Sequence, residues 1–393
     1  MASIPVDLTS TRFRSNPYPG YEALRDTGGV HWFAHGGPGG GMWLISRYDD
    51  VAELLRSRMT SKHVGGAAAR RCPYDHNLLA QDAPDHTRIR SLLTRAFTSE
   101  RIAALEPAIR TIVDELLDPM LEKGGGDFIE EFAGVLPAYV IADLMGVPRG
   151  DHGRFSAWAR DLLTGPDISN PRMSQVRASI ARLTEYFRSL AAQRRAAPAD
   201  DFISALAKEC DAHGRVSDDE MLAGLILILV AGHETVVNML ANGMWILLSQ
   251  VEPYRRLQQS PDLVPGAIEE IMRFESPVQR ATFRATTEAL QIGGVTIERG
   301  QQVSAVIGSA NRDPAQFPEP DRFDMERKPN RHLGFGAGIH ACLGPALARL
   351  EGKVAFQRLL ERTRDMRLAD SQPRWNVSTG AMRGLVSLPV LLA

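Results

Sequence analysis

Residues 219–250 constrain the fold of this chain more than any other stretch. Met221–Gly232 runs twelve residues without a charge before His233 and Glu234 interrupt. That run is too short to span a bilayer, which takes about 20 apolar residues. A segment apolar on every side predicts instead a long central helix buried all round. Set into it is a polar turn, Ala231-Gly-His-Glu234-Thr235. An acid and an alcohol buried in mid-helix are costly unless they are used or paired. Two readings stay open. Thr235 bonds back to the carbonyl of Ala231 and Glu234 sits in a buried ion pair, or the turn takes part in chemistry.

A second stretch, Phe335-Gly-Ala-Gly-Ile-His-Ala-Cys342-Leu-Gly344, holds a single cysteine in a glycine-rich loop. Pro345 follows and opens a helix, a position where its missing N–H costs nothing. The loop thus delivers Cys342 close to a helix N-terminus, where free N–H groups and the dipole favour a thiolate. A thiolate with backbone donors around its sulfur is a good axial ligand for haem iron. A buried cysteine in a turn is the plain alternative. Zinc is another, since His332, His340 and Cys342 lie close together, but a second cysteine and the usual paired spacing are missing. The pattern F-G-x-G-x-H-x-C-x-G fixes six positions, with a chance occurrence on the order of one in a million in a chain of this length.

This loop resembles the haem-thiolate loop of cytochromes P450, and Ala348-Arg349 extends the match. Four further segments resemble that family's motifs in the family's order. Asp82-Ala-Pro84-Asp-His86-Thr-Arg88-Ile-Arg90 fits D-x-P-x-H-x-x-x-R, which implies that His86 and Arg90 hold a haem propionate. Read without the resemblance, residues four apart on one helix face are usually a solvated surface. The central turn resembles A-G-x-[DE]-T, where acid and alcohol manage proton delivery to oxygen and the glycine leaves room for a diatomic ligand. Glu270-Ile-Met-Arg273 matches E-x-x-R, a structural pair completed in the family by an arginine in a later segment. Phe317-Pro-Glu-Pro-Asp-Arg322-Phe323 makes Arg322 the expected third member. The plain alternative is a surface pair worth under about 1 kcal/mol. The family's propionate-binding arginine after E-x-x-R is best matched by Arg284, with Arg280 as competitor. His340 is the fourth expected propionate contact, and two His with two Arg make a plausible set for two propionates.

Composition sets bounds around these motifs. The chain has 393 residues, 44% hydrophobic and 23% charged, ample for a large core. No Pro/Ser run, charge block or repeat marks a linker. A formal charge of −2 and a pI near 6.6 argue against a nucleic-acid binder. Cys72, Cys210 and Cys342 are odd in number and widely spaced, so they form no disulfide framework and fit a reducing compartment. The first residues show no basic and apolar leader and no membrane anchor, as expected for the soluble bacterial type.

Along the chain, a turn cluster at Asn16–Gly20 leads into a short helix at Tyr21–Arg25. Strands are predicted at Val30–Phe33 and Met42–Ser46 around a glycine-rich 36–41. A helix follows at Val51–Arg56, capped by Asp49 or Asp50. Residues 60–83 are irregular, and a helix opened by Pro84 runs to Phe97. Helices are expected over 99–122, 131–145 and 149–164, a turn-rich link at 165–171, then helices over 172–195, 219–250 and 264–274. Strands come at 282–285, 295–297, 302–307 and within 366–393.

The resemblance covers nearly the whole chain. It implies the cytochrome P450 fold, mainly α with a smaller β-rich part, as a single haem domain over 1–393. The implied cofactor is haem b, iron protoporphyrin IX, ligated by Cys342, whose thiolate helps O–O cleavage. Glu234 and Thr235 are the implied catalytic pair, relaying protons. The implied activity is mono-oxygenation: one oxygen atom from O2 enters a small-molecule organic substrate by hydroxylation or epoxidation. Helical spacing puts Leu227, Ala231 and Thr235 on one face, and the family places further pocket walls at 60–83, 165–171, 277–282 and 377–382. A medium-to-large, mainly apolar substrate from natural-product metabolism is expected. With no cysteine cluster and no G-x-G-x-x-G after a strand, electrons come from a separate ferredoxin or flavodoxin with its reductase. The expected state is a cytoplasmic monomer with no nucleic-acid or membrane partner. A peroxide-driven haem-thiolate peroxygenase is one alternative, but such relatives usually lack the acid–alcohol pair. A non-catalytic haem sensor or carrier is another; it has no need of Glu234–Thr235, and no stretch reads as an output domain.

Overall fold

The computed structural model describes the chain except residues 1–3, 5, 35–39, 64–75, 163–172, 214–215, 379 and 393. Most of the glycine-rich 36–41, much of the irregular 60–83 with Cys72, and the link 165–171 therefore lie outside the described residues. Helices dominate and the strands are short, as expected for a mainly α protein with a smaller β-rich part. The chain forms two compact units, each built from distant parts of the sequence.

The first unit comprises Met1–Val64, Asn238–Pro345 and Arg364–Leu391. Its five-stranded sheet runs Val30–Ala34, Gly41–Ile45, Gln302–Ala305, Arg284–Thr286, Thr60–Ser61. Val30 pairs with Ile45 in an antiparallel hairpin, and Trp43 pairs with Val303 in parallel. Arg284 lies antiparallel opposite Val303, and Thr60 opposite Thr286. Alternation sends Val30, Ile45 and Val303 into a core with Val51, Leu54, Ile297 and Ile307. The helix Tyr48–Arg56 closes this core. Asp49 and Asp50 sit in its first turn rather than capping it; the Tyr48 N–H is taken by Asp313 Oδ2 at 2.8 Å. The expected helix at Tyr21–Arg25 begins earlier and spans Tyr18–Asp26.

The helix Val264–Phe274 of the same unit has the predicted bounds, and it buries both Glu270 and Arg273. Close by in the unit lies a second buried charge cluster. Glu275 accepts from the Tyr18 hydroxyl at 2.6 Å and from Arg383, whose guanidinium also reaches the carbonyls of Arg14 and Ser15. Arg383 stacks over Trp375 at 3.7 Å from the ring centroid.

The second unit comprises Gly65–Val237, Ala346–Thr363 and Leu392–Ala393 and is helical throughout most of its length. The expected helix over 99–122 is two, Ser99–Ala104 and Glu106–Lys123, because Pro107 starts a new helix. The expected 131–145 helix is a π turn at Ile129–Ala133 followed by Leu136–Met145. The Asp85–Leu93 helix ends in a 3₁₀ turn, Thr94–Phe97. A helix at Phe202–His213 was not among the expected elements. The apolar segment forms one helix, Asp218–Ser249. It is long enough to cross a membrane, yet 67% of its most apolar window is buried, which marks a core helix.

Candidate active site

In the first unit the cysteine loop is shaped by its glycines. Gly336 and Gly338 take φ of +69° and +72°, a region that side chains disfavour. A Cβ on Gly338 would collide with the carbonyl of Leu55, so the loop lies directly against the end of the Tyr48–Arg56 helix. The Cys342 N–H donates to the Phe335 carbonyl at 2.8 Å, closing the loop. Cys342 is exposed, and the helix Pro345–Arg362 starts three residues on. The plain alternative of a buried cysteine therefore fails. So does zinc. His332 pairs with Glu269 at 3.1 Å through Nε2 and accepts the Gly334 N–H at Nδ1. Among the described residues no three His, Cys, Asp or Glu side chains converge as a metal set. A single cysteine ligand would suit a haem iron and does not make up the ligand set of a tetrahedral ion.

Arg284 is buried and donates to the carbonyls of Leu54 and Leu55 at 3.0 and 3.2 Å, at the helix end that the loop rests on. Arg280, its competitor, donates to the Gly380 carbonyl at 3.1 Å instead and holds the turn near Ala381. His340 is half-buried, two residues before the thiol.

The E-x-x-R motif is not a surface pair. Glu270 and Arg273 are joined at 2.7 Å and both are 0% exposed. Arg273 also donates to the carbonyls of Asn311, Pro320 and Arg322. The third cation is Arg327, whose Nε lies 3.2 Å from Glu270; it is not Arg322. Arg322 turns its carbonyl inward and its guanidinium outward to the exposed Glu319. An irregular loop has no periodicity from which to tell these two arginines apart. Asn330 completes the Glu270 shell at 3.1 Å.

In the second unit, His86 and Arg90 share the face of the helix Asp85–Leu93. His86 is 1% exposed, so this face is not solvated. Burial, and then the Arg90 charge, hold its pKa below the usual value.

The central turn bears out one half of the first reading left open and not the other. Thr235 Oγ1 does donate back to the Ala231 carbonyl, at 2.7 Å. Glu234 has no ion pair among the described residues: burial raises its pKa, to about 7. Residues 221–229 of this helix are buried, whereas Ala231, on the Thr235 face, is exposed. Gly232 does not leave room beside the helix, because a Cβ there would stand 2.8 Å from Ile141 Cδ1. The room is on the Ala231 side.

The cytochrome P450 family model matches residues 170–376. The chain is 43% identical over 364 residues to cytochrome P450 107B1 of Saccharopolyspora erythraea, covering 88% of each. It is 38% identical over 387 residues to the mono-oxygenase PikC of Streptomyces venezuelae, covering 96% of this chain and 91% of that one. The solved structure of the bacillaene polyketide synthase cytochrome P450 PksS of Bacillus subtilis matches with a TM-score of 0.91 at 36% identity, covering 99% of this chain and 100% of that one. Fold and relatives together define a haem-dependent oxidoreductase. The chain belongs to the cytochrome P450 family and is a mono-oxygenase, with iron protoporphyrin IX as its cofactor.

Proposed function

We propose that Cys342 would hold the haem iron through its thiolate, and that Arg284, His340, His86 and Arg90 would bind the propionates, within a single haem domain. The observation that carries this reading is the exposed Cys342 on a glycine-shaped loop ahead of a helix. The bound group supplies the activation of O2, with the thiolate as electron donor to the metal. The chain supplies binding, orientation and protons. Glu234, with a pKa of about 7, exchanges a proton readily at neutral pH. Thr235 is the hydroxyl beside it; while it donates to Ala231, its oxygen lone pairs remain able to accept.

The substrate is a medium-to-large, mainly apolar compound, hydroxylated or epoxidised. The exposed Ala231 beside buried apolar residues supports this, as does the polyketide context in the name of PksS. A ferredoxin or flavodoxin with its reductase delivers the electrons to a cytoplasmic monomer, as bacterial relatives usually require. The test is spectroscopic. Reduced protein under carbon monoxide shows the red-shifted Soret band of a thiolate-bound haem, and Cys342→Ser loses it. Retention of that band in the variant overturns the ligand assignment.

A further inference from the structure

His233 lies between the glycine and the acid of the central turn, and none of the roles above uses it. It is 1% exposed, and its Nε2 lies 2.8 Å from the carbonyl oxygen of Gly134. A carbonyl can only accept, so Nε2 carries the proton and Nδ1 is bare; Nδ1 is buried and has no partner among the described residues. Burial lowers the imidazole pKa to about 4, so the ring is neutral at physiological pH.

The Gly134 carbonyl is available because the chain around it is broken. The π turn Ile129–Ala133 closes with the Gly134 N–H on the Ile129 carbonyl at 2.7 Å, and the next helix starts at Leu136. Pro137, three residues on, has no N–H to offer. A Cβ on Gly134 would stand 2.7 Å from the Ile129 carbonyl oxygen, so the site suits only glycine. One residue before His233, Gly232 is pressed on Ile141 of the same segment. Two successive residues of the central helix are thus keyed to residues 134–141, one by shape and one by a directional hydrogen bond.

Helix geometry carries this to the site. Each residue advances by about 100°, so Glu234 stands about 100° and Thr235 about 200° from the anchored imidazole. Anchoring His233 on one side therefore directs Thr235 to the opposite one, where Ala231 is exposed. We propose that His233 is a positioning residue: its hydrogen bond to Gly134 fixes the rotation of the helical turn that presents Glu234 and Thr235. This rests on the reading of that pair as the proton-delivery groups.

The test uses haem-loaded protein. His233→Phe keeps the volume and removes the donor, and His233→Gln keeps a donor able to reach Gly134. The expected result is an unchanged thiolate–carbon monoxide band in both. His233→Phe releases more peroxide and forms about threefold to tenfold less product per O2 consumed, and His233→Gln recovers most of the loss. A second readout needs no turnover: carboxyl titration of Glu234, followed by infrared difference spectroscopy, moves in the Phe variant and returns in the Gln variant. In the unmodified holoenzyme, nitrogen chemical shifts report the Nε2–H tautomer, which keeps the idea testable if the Phe variant fails to fold. Wild-type coupling in His233→Phe overturns the proposal, as does equal loss in both variants or an Nδ1–H tautomer. Thr235→Val separates the two levels. If it too couples normally, the proton-delivery reading falls and takes this one with it; if it uncouples while His233→Phe does not, only the positioning role is wrong.

Discussion

Glu270 and Glu234 are both carboxylates inside helices, and their surroundings are opposite. Glu270 accepts from Arg273 twice, from Arg327, from Asn330 and from the Asp324 N–H. Glu234 is left with burial alone and a pKa near 7. The first carboxylate sits at the centre of a fully bonded cage. The second stands close to its own midpoint. The bonded carboxylate is architecture, and the one left to burial is the one proposed for proton delivery.

The sharpest way to break this contrast is to remove one charge at each site. Arg273→Ala strips the buried Glu270 of two donors and orphans three carbonyls, and is expected to cost about 3–5 kcal/mol. Thermal melting and soluble yield measure it, and a variant that melts like the parent would mean that the cage is ornamental. Glu234→Gln is expected to do the reverse. The folded-state pKa of Glu234 is raised, so the anion is disfavoured above about pH 7, and stability is regained as pH falls towards 4.5. The amide therefore stabilises the protein at pH 8, by on the order of 2–3 kcal/mol, and the gain vanishes near pH 4.5. Denaturant melts across that range check the sign; a destabilised amide at pH 8 would reveal an unseen partner for the acid. His233 has the opposite slope. Its folded pKa is lowered to about 4, so its contribution is complete above about 6.5 and is lost as pH falls towards 4. The smallest effects separate the two candidate third cations. Arg327→Ala is expected to cost about 1–3 kcal/mol, because it strips a buried charge-assisted hydrogen bond. Arg322→Ala loses an exposed pair and its melt stays within about 0.5 kcal/mol of the parent.

Much of this was legible in the order of residues, for identifiable reasons. The helices Val264–Phe274 and Asp218–Ser249 came within a residue of expectation because long or strongly amphipathic segments carry their own period. The cysteine loop was legible because its glycines are demanded by backbone shape. The Ser99–Lys123 region reads as one helix by its length, although Pro107 signals the second start. The helix Phe202–His213 had a signal too, in Asp201, whose Oδ1 accepts the Ser204 N–H at 2.8 Å. Arg327, the Asp313 cap and the His233–Gly134 bond were not legible. Each joins residues far apart in sequence or in an aperiodic loop, where only the folded chain decides which donor faces in. The absence of an ion pair at Glu234 among the described residues is of the same kind, since a missing neighbour leaves no trace in a local sequence.

The Glu275–Arg383 cluster has a bearing on how the protein is made. Arg383 grips the carbonyl of Arg14 across 369 residues of chain. At synthesis rates of about 5–20 residues per second, the ribosome needs about 20–75 s to pass from one to the other. During that interval the hairpin Val30–Ala34 and Gly41–Ile45 is already out, while Gln302–Ala305, the parallel neighbour of its second strand, is not. An apolar strand edge bearing Met42, Trp43 and Leu44 therefore waits uncovered for most of translation. The first unit is a late assembly, closed only once its final segment has emerged, and the nascent chain depends until then on whatever shields that edge from other chains.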